Sequence, residues 1–244
     1  MQPSLRDPTL KVERAREHLD VLQAKLVESQ QQHPFGVHQY EDITTSTFIL
    51  QVETPIIAPG LALIAGDAIY NLRSALDQLA WQLALVNTDQ PYEYTFFPIY
   101  GVDTHDHRKT FDRVTADIPP DAVSEMRSLQ PFAARGPDYQ ADPLWELNRL
   151  YNIDRHRLRL LYGTSIDFKV PAGVEHRCDV FNGNPAVFVP ISASPQMKLA
   201  PPPTADIFVG SEDAQSQVNL SELSVILEYV RDTVFPRFSG FFPG

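Results

Sequence analysis

The chain has 244 residues, with 20 basic against 31 acidic side chains for a formal charge of −11, one cysteine and 43% apolar residues. A chain of this length buries roughly 70–75% of the surface its unfolded form exposes, so a sizeable core forms without staples. The single cysteine excludes an internal disulfide framework and Cys-x-x-Cys zinc or redox sites, and the acidic balance argues against a surface built for generic nucleic-acid or anionic-membrane binding while leaving room for a local basic patch.

The opening residues, MQPSLRDPTLKVER, are polar and mixed in charge, so no signal peptide is expected and the default compartment is the cytoplasm. After the cap and first-turn pair Asp7-Pro8, the residues Val12, Ala15, Leu19, Leu22 and Leu26 recur at helical spacing and predict a helix over 8–31. His33-Pro34-Phe35-Gly36 stops it, and the β-branched run 41–52 predicts an extended strand or hairpin, closed by Pro55 and Pro59. A second helix over 60–85 carries one apolar stripe: Leu61, Ala65, Ala68, Leu72, Leu76, Leu79 and Leu83. Gly66 within it costs about 1 kcal/mol relative to Ala and so predicts close approach of a crossing element. The longest apolar run in this helix is broken by Gly66-Asp67, well short of the ~20 residues that span a bilayer.

Extended chain is predicted for 94–99 (YTFFPI), a solvated loop for 103–109, and a short helix for 121–129. A third long helix starts at Asp142-Pro143 and runs to Gly163 as its C-terminal stop. Short strands are predicted at 165–170, 177–181, 186–189 and 207–209, with Asn182-Gly183 as a hairpin turn. The 200–204 segment (APPPT) reads as an extended connection. Asn219 and Glu222 form a capping box for a last helix to about Phe235, ended by Pro236. The expected architecture is one α+β domain over 1–244, with about four long helices (8–31, 60–85, 143–162, 220–235) and small antiparallel sheet elements within 41–52 and 165–209.

Two helices carry polar residues that packing alone does not require. On the 143–161 helix, Leu144, Leu147, Tyr151, Leu158 and Leu161 make the inward stripe, and Asp154 falls in its middle. A buried carboxylate needs a cation or several donors, and Arg73 is the expected partner. Arg73 and Asp77 are also spaced for an i,i+4 pair, so Arg73, Asp77 and Asp154 are expected to form a structural polar network. Asp67, Asn71, Ser74 and Gln78 line another side of the second helix, ready for hydrogen bonds between helices.

The opposite side of the 143–161 helix carries Trp145, Arg149, Asn152 and His156, with Arg155, Arg157 and Arg159 adding positive charge. Arg149 and His156 stand two turns apart, about 10.5 Å along the axis, so they could grip opposite sides of one phosphodiester. In that reading His156 is the general acid or base, Arg149 neutralises charge on phosphorus, Asn152 orients the phosphate, and Arg155 and Arg159 bind it. No metal is needed for such chemistry.

The phrases Gly66-Asp67 to Asp77 (GDAIYNLRSALD), Phe97-Pro98-Ile99, Leu129-Gln130-Pro131-Phe132, Pro143-Leu144-Trp145 and Asn152–Arg157 (NIDRHR) resemble a bacterial, chiefly actinobacterial, protein family without an established activity. An arginine followed by a histidine on one helix also resembles the RNA-cleaving motif of HEPN (higher eukaryotes and prokaryotes nucleotide-binding) domains. That resemblance implies a helical bundle that dimerises into a metal-independent ribonuclease site, with Arg149 and His156 in the motif's roles. Leu150 departs from it, since a polar residue usually follows the arginine.

Asp103, His105, Asp106 and His107 could chelate a divalent metal from an extended segment, but a solvated loop is the favoured account. His176 and Cys178, two apart on a strand, pair a base with a thiol, and an inert cysteine is the simpler account. Walker A, Rossmann, Gly-x-Ser-x-Gly and His-Glu-x-x-His patterns are absent, so no cofactor and no resident metal is expected. The sequence is therefore read as a non-enzymatic interaction or regulatory protein without a membrane partner. The alternative is a HEPN-like endoribonuclease of a toxin or phage-defence system, acting as a homodimer on RNA through its basic helix face.

Overall fold

The computed structural model describes residues 2–32, 35–53, 60–157, 161–199, 204–210 and 217–242. The helices are α1 (Arg6–Gln32), α2 (Gly60–Asn87), α3 (His105–Val114), α4 (Pro120–Ser128), α5 (Pro131–Ala134), α6 (Pro143–Arg157), α7 (Ser194–Leu199), α8 (Leu220–Glu228) and α9 (Phe235–Phe238). The strands are β1 (Gly36–Asp42), β2 (Thr47–Glu53), β3 (Leu161–Asp167), β4 (Arg177–Phe181), β5 (Asn184–Pro190), β6 (Thr204–Gly210) and β7 (Gln217–Asn219). The α+β class is as expected. Only α1 and α2, with 27 and 28 residues, have the expected length, whereas α6 has 15 and α8 has 9. Among the described residues no helix is long and apolar enough to cross a membrane.

α1 and α2 pack as an antiparallel pair, since Ser4 N–H reaches Gln82 while Lys11 Nζ reaches Asn71. The α1 stripe from Val12 to Leu26 is buried as its spacing predicts. α2 is buried round most of its circumference, with Ile69, Ala75, Ala80 and Ala84 added to the expected stripe. It is therefore the central helix, touching α1 and α6, and α8 closes the core against α1 and α6.

The strands form two antiparallel sheets: β1-β2-β5-β4, and β3-β6-β7. In the first, one face carries Phe48, Leu50, Val187 and Val189, which pack with Ala193 and Met197 of the chain around α7 in a core separate from the helical one. Glu41 anchors α7 there through Lys198 at 3.0 Å. The Asn182-Gly183 turn forms as expected, with φ of 50° and 79°, values that suit Asn and Gly in a tight hairpin. Asp42 organises the other hairpin by accepting the Thr44 and Thr45 N–H groups.

Three boundaries around the helices differ from the sequence expectation, and the strand expected at 165–170 runs instead over Leu161–Asp167. The 103–109 stretch is helical from His105, because Thr104 caps it by accepting the His107 N–H at 3.2 Å. α6 ends at Arg157, and Gly163 lies within β3, opposite Phe208 of β6. Leu161 is thus a strand residue with no place in the helical stripe, and pairing along all of β3 outweighs the helical period; Leu158 and the prolines at 201–203 lie outside the described residues. Pro236 does not end the last helix. The chain widens into a π turn over Tyr229–Val234, with Phe235 N–H bonded to the Val230 carbonyl, and Pro236 enters the first turn of α9, where its missing N–H costs little.

The Asn219/Glu222 capping box is present in full, with Glu222 N–H to Asn219 Oδ1 at 2.9 Å and Asn219 N–H to Glu222 Oε2 at 2.8 Å. Asn219→Ala is expected to lower the unfolding free energy by about 1 kcal/mol, measured by urea denaturation.

Candidate functional site

The residues that the sequence singles out sort by what they are bonded to. Phe97, Pro98 and Ile99 are buried in extended chain and, among the described residues, no strand pairs with them, so side chains satisfy their backbone groups. Arg73, only 7% exposed, donates from Nη1 to Asp77 Oδ1 at 2.5 Å and from Nη2 to the Phe97 carbonyl at 2.9 Å. Asp77 Oδ1 also accepts the Phe97 N–H at 3.1 Å. Gln130, fully buried, donates to the Pro98 carbonyl at 2.8 Å and the Met126 carbonyl at 3.1 Å and accepts the Tyr100 N–H at 3.0 Å. Burial pushes the Asp77 carboxyl above the usual carboxylate range, opposed by the Arg73 charge and the Phe97 N–H. Three of the sequence phrases, around Arg73, Phe97 and Gln130, are thus one clamp.

Asp154 stands outside that clamp, which corrects the expected Arg73 partnership. Its carboxylate lies against Gly66 of α2, so close that a Cβ there would sit 3.1 Å from Oδ1. The predicted close approach at Gly66 is real, and the crossing group is this carboxylate. Burial raises its pKa and the negative charge of Asp67 raises it further. Beside it the Tyr70 and Tyr151 rings lie 6.4 Å apart, Lys11 Nζ stands 5.9 Å from the Tyr70 ring centre, and Asn71 donates to the Asp67 carbonyl at 2.7 Å.

On the other side of α6, Trp145 meets Tyr139 edge to face at 5.0 Å, and Asn152 is exposed. Arg149 is held by Glu146, one turn back, through Nε at 2.9 Å and through Nη2. Its Nη1 is buried with no hydrogen-bond partner. The side chains of Arg155, His156 and Arg157 lie outside the described set, as does Arg159. The structure therefore brings Arg149 to an internal carboxylate and leaves the proposed His156 role to solution experiments. Leu150, absent from the expected stripe, is fully buried with Leu144 and Leu147.

The Asp103–His107 residues are engaged in helix capping and local bonds. Arg108 pairs with Asp103 at 2.9 Å, while the His107 ring bonds the Val102 carbonyl and stacks on Tyr100 at 4.3 Å. Among the described residues no group of three His, Cys, Asp or Glu side chains is placed to hold a metal. His176 and Cys178 are both exposed, the former bonded through Nδ1 to the Val174 carbonyl.

One cavity was not foreseen. On the second face of the four-stranded sheet, Tyr40 of β1 and Phe181 of β4 have ring centres 5.2 Å apart although two strands separate theirs. Flat strands would hold these edges about 14 Å apart, so the sheet curls and the aromatic pair bridges its edges. Below the bridge opens a mouth of about 670 Å³ lined by Asp42, Thr47, Glu175, His176, Arg177 and Phe188, with the Arg177 guanidinium 4.4 Å from the Phe188 ring centre. The two-residue alternation of Arg177, Asp179 and Phe181 signals a shared face, but nothing in the sequence signals the curl.

No family model, curated protein sequence or solved structure matches this chain.

Gly66→Ala is expected to destabilise the wild type by forcing the Asp154 carboxylate away. In an Asp154→Ala background the same change is expected to stabilise by up to about 1 kcal/mol, the helix-propensity gain, and a denaturation cycle reads the coupling. Because the folded Asp154 carboxyl titrates above its unfolded value, its ionisation works against folding. Asp154→Asn is thus expected to raise stability near pH 7, the advantage fading as pH falls through the raised folded pKa and vanishing below the unfolded value of about 3.9. Melting curves from pH 3 to 8 check the sign, and a destabilised Asn variant at pH 7 would refute it.

Proposed function

We propose that this protein is a non-enzymatic cytoplasmic interaction or regulatory protein. The observation that carries the reading is the clamp: Arg73, Asp77 and Gln130, the most conspicuous polar residues of its helical phrases, spend their hydrogen bonds on the Phe97–Tyr100 backbone. A fold-holding role accounts for these residues at these positions without any reaction. Arg149 adds support, because its pairing with Glu146 cancels the charge that a phosphate would need.

Asp77→Ala removes the partner of a buried guanidinium and of the Phe97 N–H, so a loss of about 3 kcal/mol is expected by chemical denaturation. The alternative ribonuclease is tested with the wild type on mixed tRNA in EDTA. The expected result is intact RNA with no 2′,3′-cyclic phosphate ends. Cleavage by the wild type that disappears in His156→Ala at an unchanged melting temperature would overturn the reading and install the homodimeric ribonuclease in its place.

A further inference from the structure

β4 (Arg177–Phe181) ends the four-stranded sheet, and among the described residues no strand pairs with its outer side. Its hairpin to β5 decides which backbone groups point outward. The two-residue loop Asn182-Gly183 makes Phe181 and Asn184 a hydrogen-bonded pair, so the amide groups of Phe181, Asp179 and Arg177 turn towards β5. Those of Cys178 and Val180 turn away from it. Two details agree with this phase: Val180 lies opposite Pro185, which has no N–H, and the Val180 N–H is taken instead by Asp179 Oδ1 at 2.8 Å.

Such an edge is a template for another strand unless it is covered or blunted, and β4 (RCDVF) has neither proline nor lysine. It is also open to solvent. Arg177 and Asp179 are 65% and 52% exposed, and Val180 is 64% exposed. The apolar face of the sheet runs out at the same place: Leu50, Val187 and Cys178 form one row across β2, β5 and β4, yet Cys178 is exposed where Leu50 and Val187 are buried.

Charge decides which strand fits beside it. Charges of one sign would repel a second copy of β4, whereas Arg177 and Asp179 stand two residues apart with opposite signs. Antiparallel pairing about a two-fold axis sets each residue opposite its mirror position, so the residue on the axis fixes the register. An axis at Arg177 or Asp179 sets like charges face to face, and an axis at Val180 or Phe181 runs the strand into the Asn182-Gly183 turn. With Cys178 on the axis, Arg177 faces Asp179 of the second copy and Asp179 faces its Arg177. The outward amide groups of the two Cys178 residues then meet, and those of Val180 meet His176 of the second copy.

We propose that two copies of this chain associate by antiparallel pairing of their β4 strands about a two-fold axis at Cys178, joining their four-stranded sheets into one. The Arg177–Asp179 pair within each strand, 2.8 Å apart, is exchanged for two such pairs between strands. A contact built on five residues from each copy is small, so the dimer is reversible and depends on concentration. The inference goes beyond the interaction reading by naming a partner for one edge, and it does not depend on that reading.

The test uses the full-length protein, whose one cysteine is Cys178. Sedimentation velocity over a micromolar to millimolar series is expected to show monomer passing into dimer. In a hydrogen-bonded antiparallel pair the facing Cα atoms lie about 5.5 Å apart, within the roughly 4.4–6.8 Å that a disulfide bridges. Oxidation of the two thiols by diamide is therefore expected to trap a covalent dimer at the concentrations where the reversible one forms. Arg177→Asp and Asp179→Arg each set like charges opposite each other twice, and each is expected to weaken the dimer about tenfold or more and to suppress the cross-link. Mixed together, the two variants again oppose unlike charges at both pairs, so the mixture is expected to regain the dimer as a heterodimer, identified by intact mass. Misfolding would not be repaired by mixing, which separates a lost fold from a lost pairing. The proposal is overturned if the wild type stays monomeric across the series, if either variant alone dimerises as tightly as the wild type, or if the mixture forms no heterodimer. The tRNA assay in EDTA bears on the proposed function alone, so the two readings fail separately.

Discussion

The extended segment from Phe97 to Tyr100 is the constraint on which the helical part depends. Its buried side chains join the core, while Pro98 has no N–H and, among the described residues, no strand completes a ladder with it. Three side chains from two places supply what a sheet would: Arg73 and Asp77 one turn apart on α2, and Gln130 at the α4–α5 junction. That arrangement fixes the rotation of α2 about its axis, because both Arg73 and Asp77 must face the segment. With α2 so oriented, Gly66 is turned towards α6 and the α1 stripe meets Ala68, Leu72 and Leu79 on the remaining side.

A buried ion pair is weak grounds for stability in itself, since desolvation offsets much of the attraction. Here the pair is bonded on both sides to backbone, so the alternative to keeping it is a set of orphaned amide groups costing roughly 1–3 kcal/mol each. Asp154 shows the opposite case. Among the described residues it has no cation partner, the charge of Asp67 opposes its ionisation, and its carboxylate lies against the bare backbone of Gly66. The two aspartates look alike in a helical projection, each among apolar neighbours, yet one supports the fold and the other strains it.

Much of the fold was legible. Helical periodicity placed α1 and α2 within two residues at each end, the capping box set the start of α8, and Asn182-Gly183 marked its hairpin. These signals are local, and local signals survive folding. What failed was decided by distant partners. The helical stripe seemed to continue through Leu158 and Leu161, but β6 captures residues from Leu161 onward, and a period of 3.6 carries no information about a strand some forty residues away. At the site, the i,i+4 spacing of Arg73 and Asp77 was readable, whereas the segment they serve was not, because carbonyls have no sequence signature. Arg149 was recognised as a notable cation, and its i,i+3 pairing with Glu146 was readable but not read, whereas its place beside α8 depends on packing between helices 60 or more residues apart.

The contrast between Arg73 and Arg149 separates a residue kept for the fold from one left with capacity to spare. Arg73 is buried and Arg149 half-buried, and each holds a carboxylate on its own helix and retains one unbonded nitrogen. Arg73 sends its second fork nitrogen to a backbone carbonyl, so any change there is felt by the segment it anchors. Arg149 spends both of its bonded nitrogens on Glu146 alone and touches no backbone. The same argument explains why the basic character of α6 misleads when read as a surface: its one described arginine faces inward, toward acids.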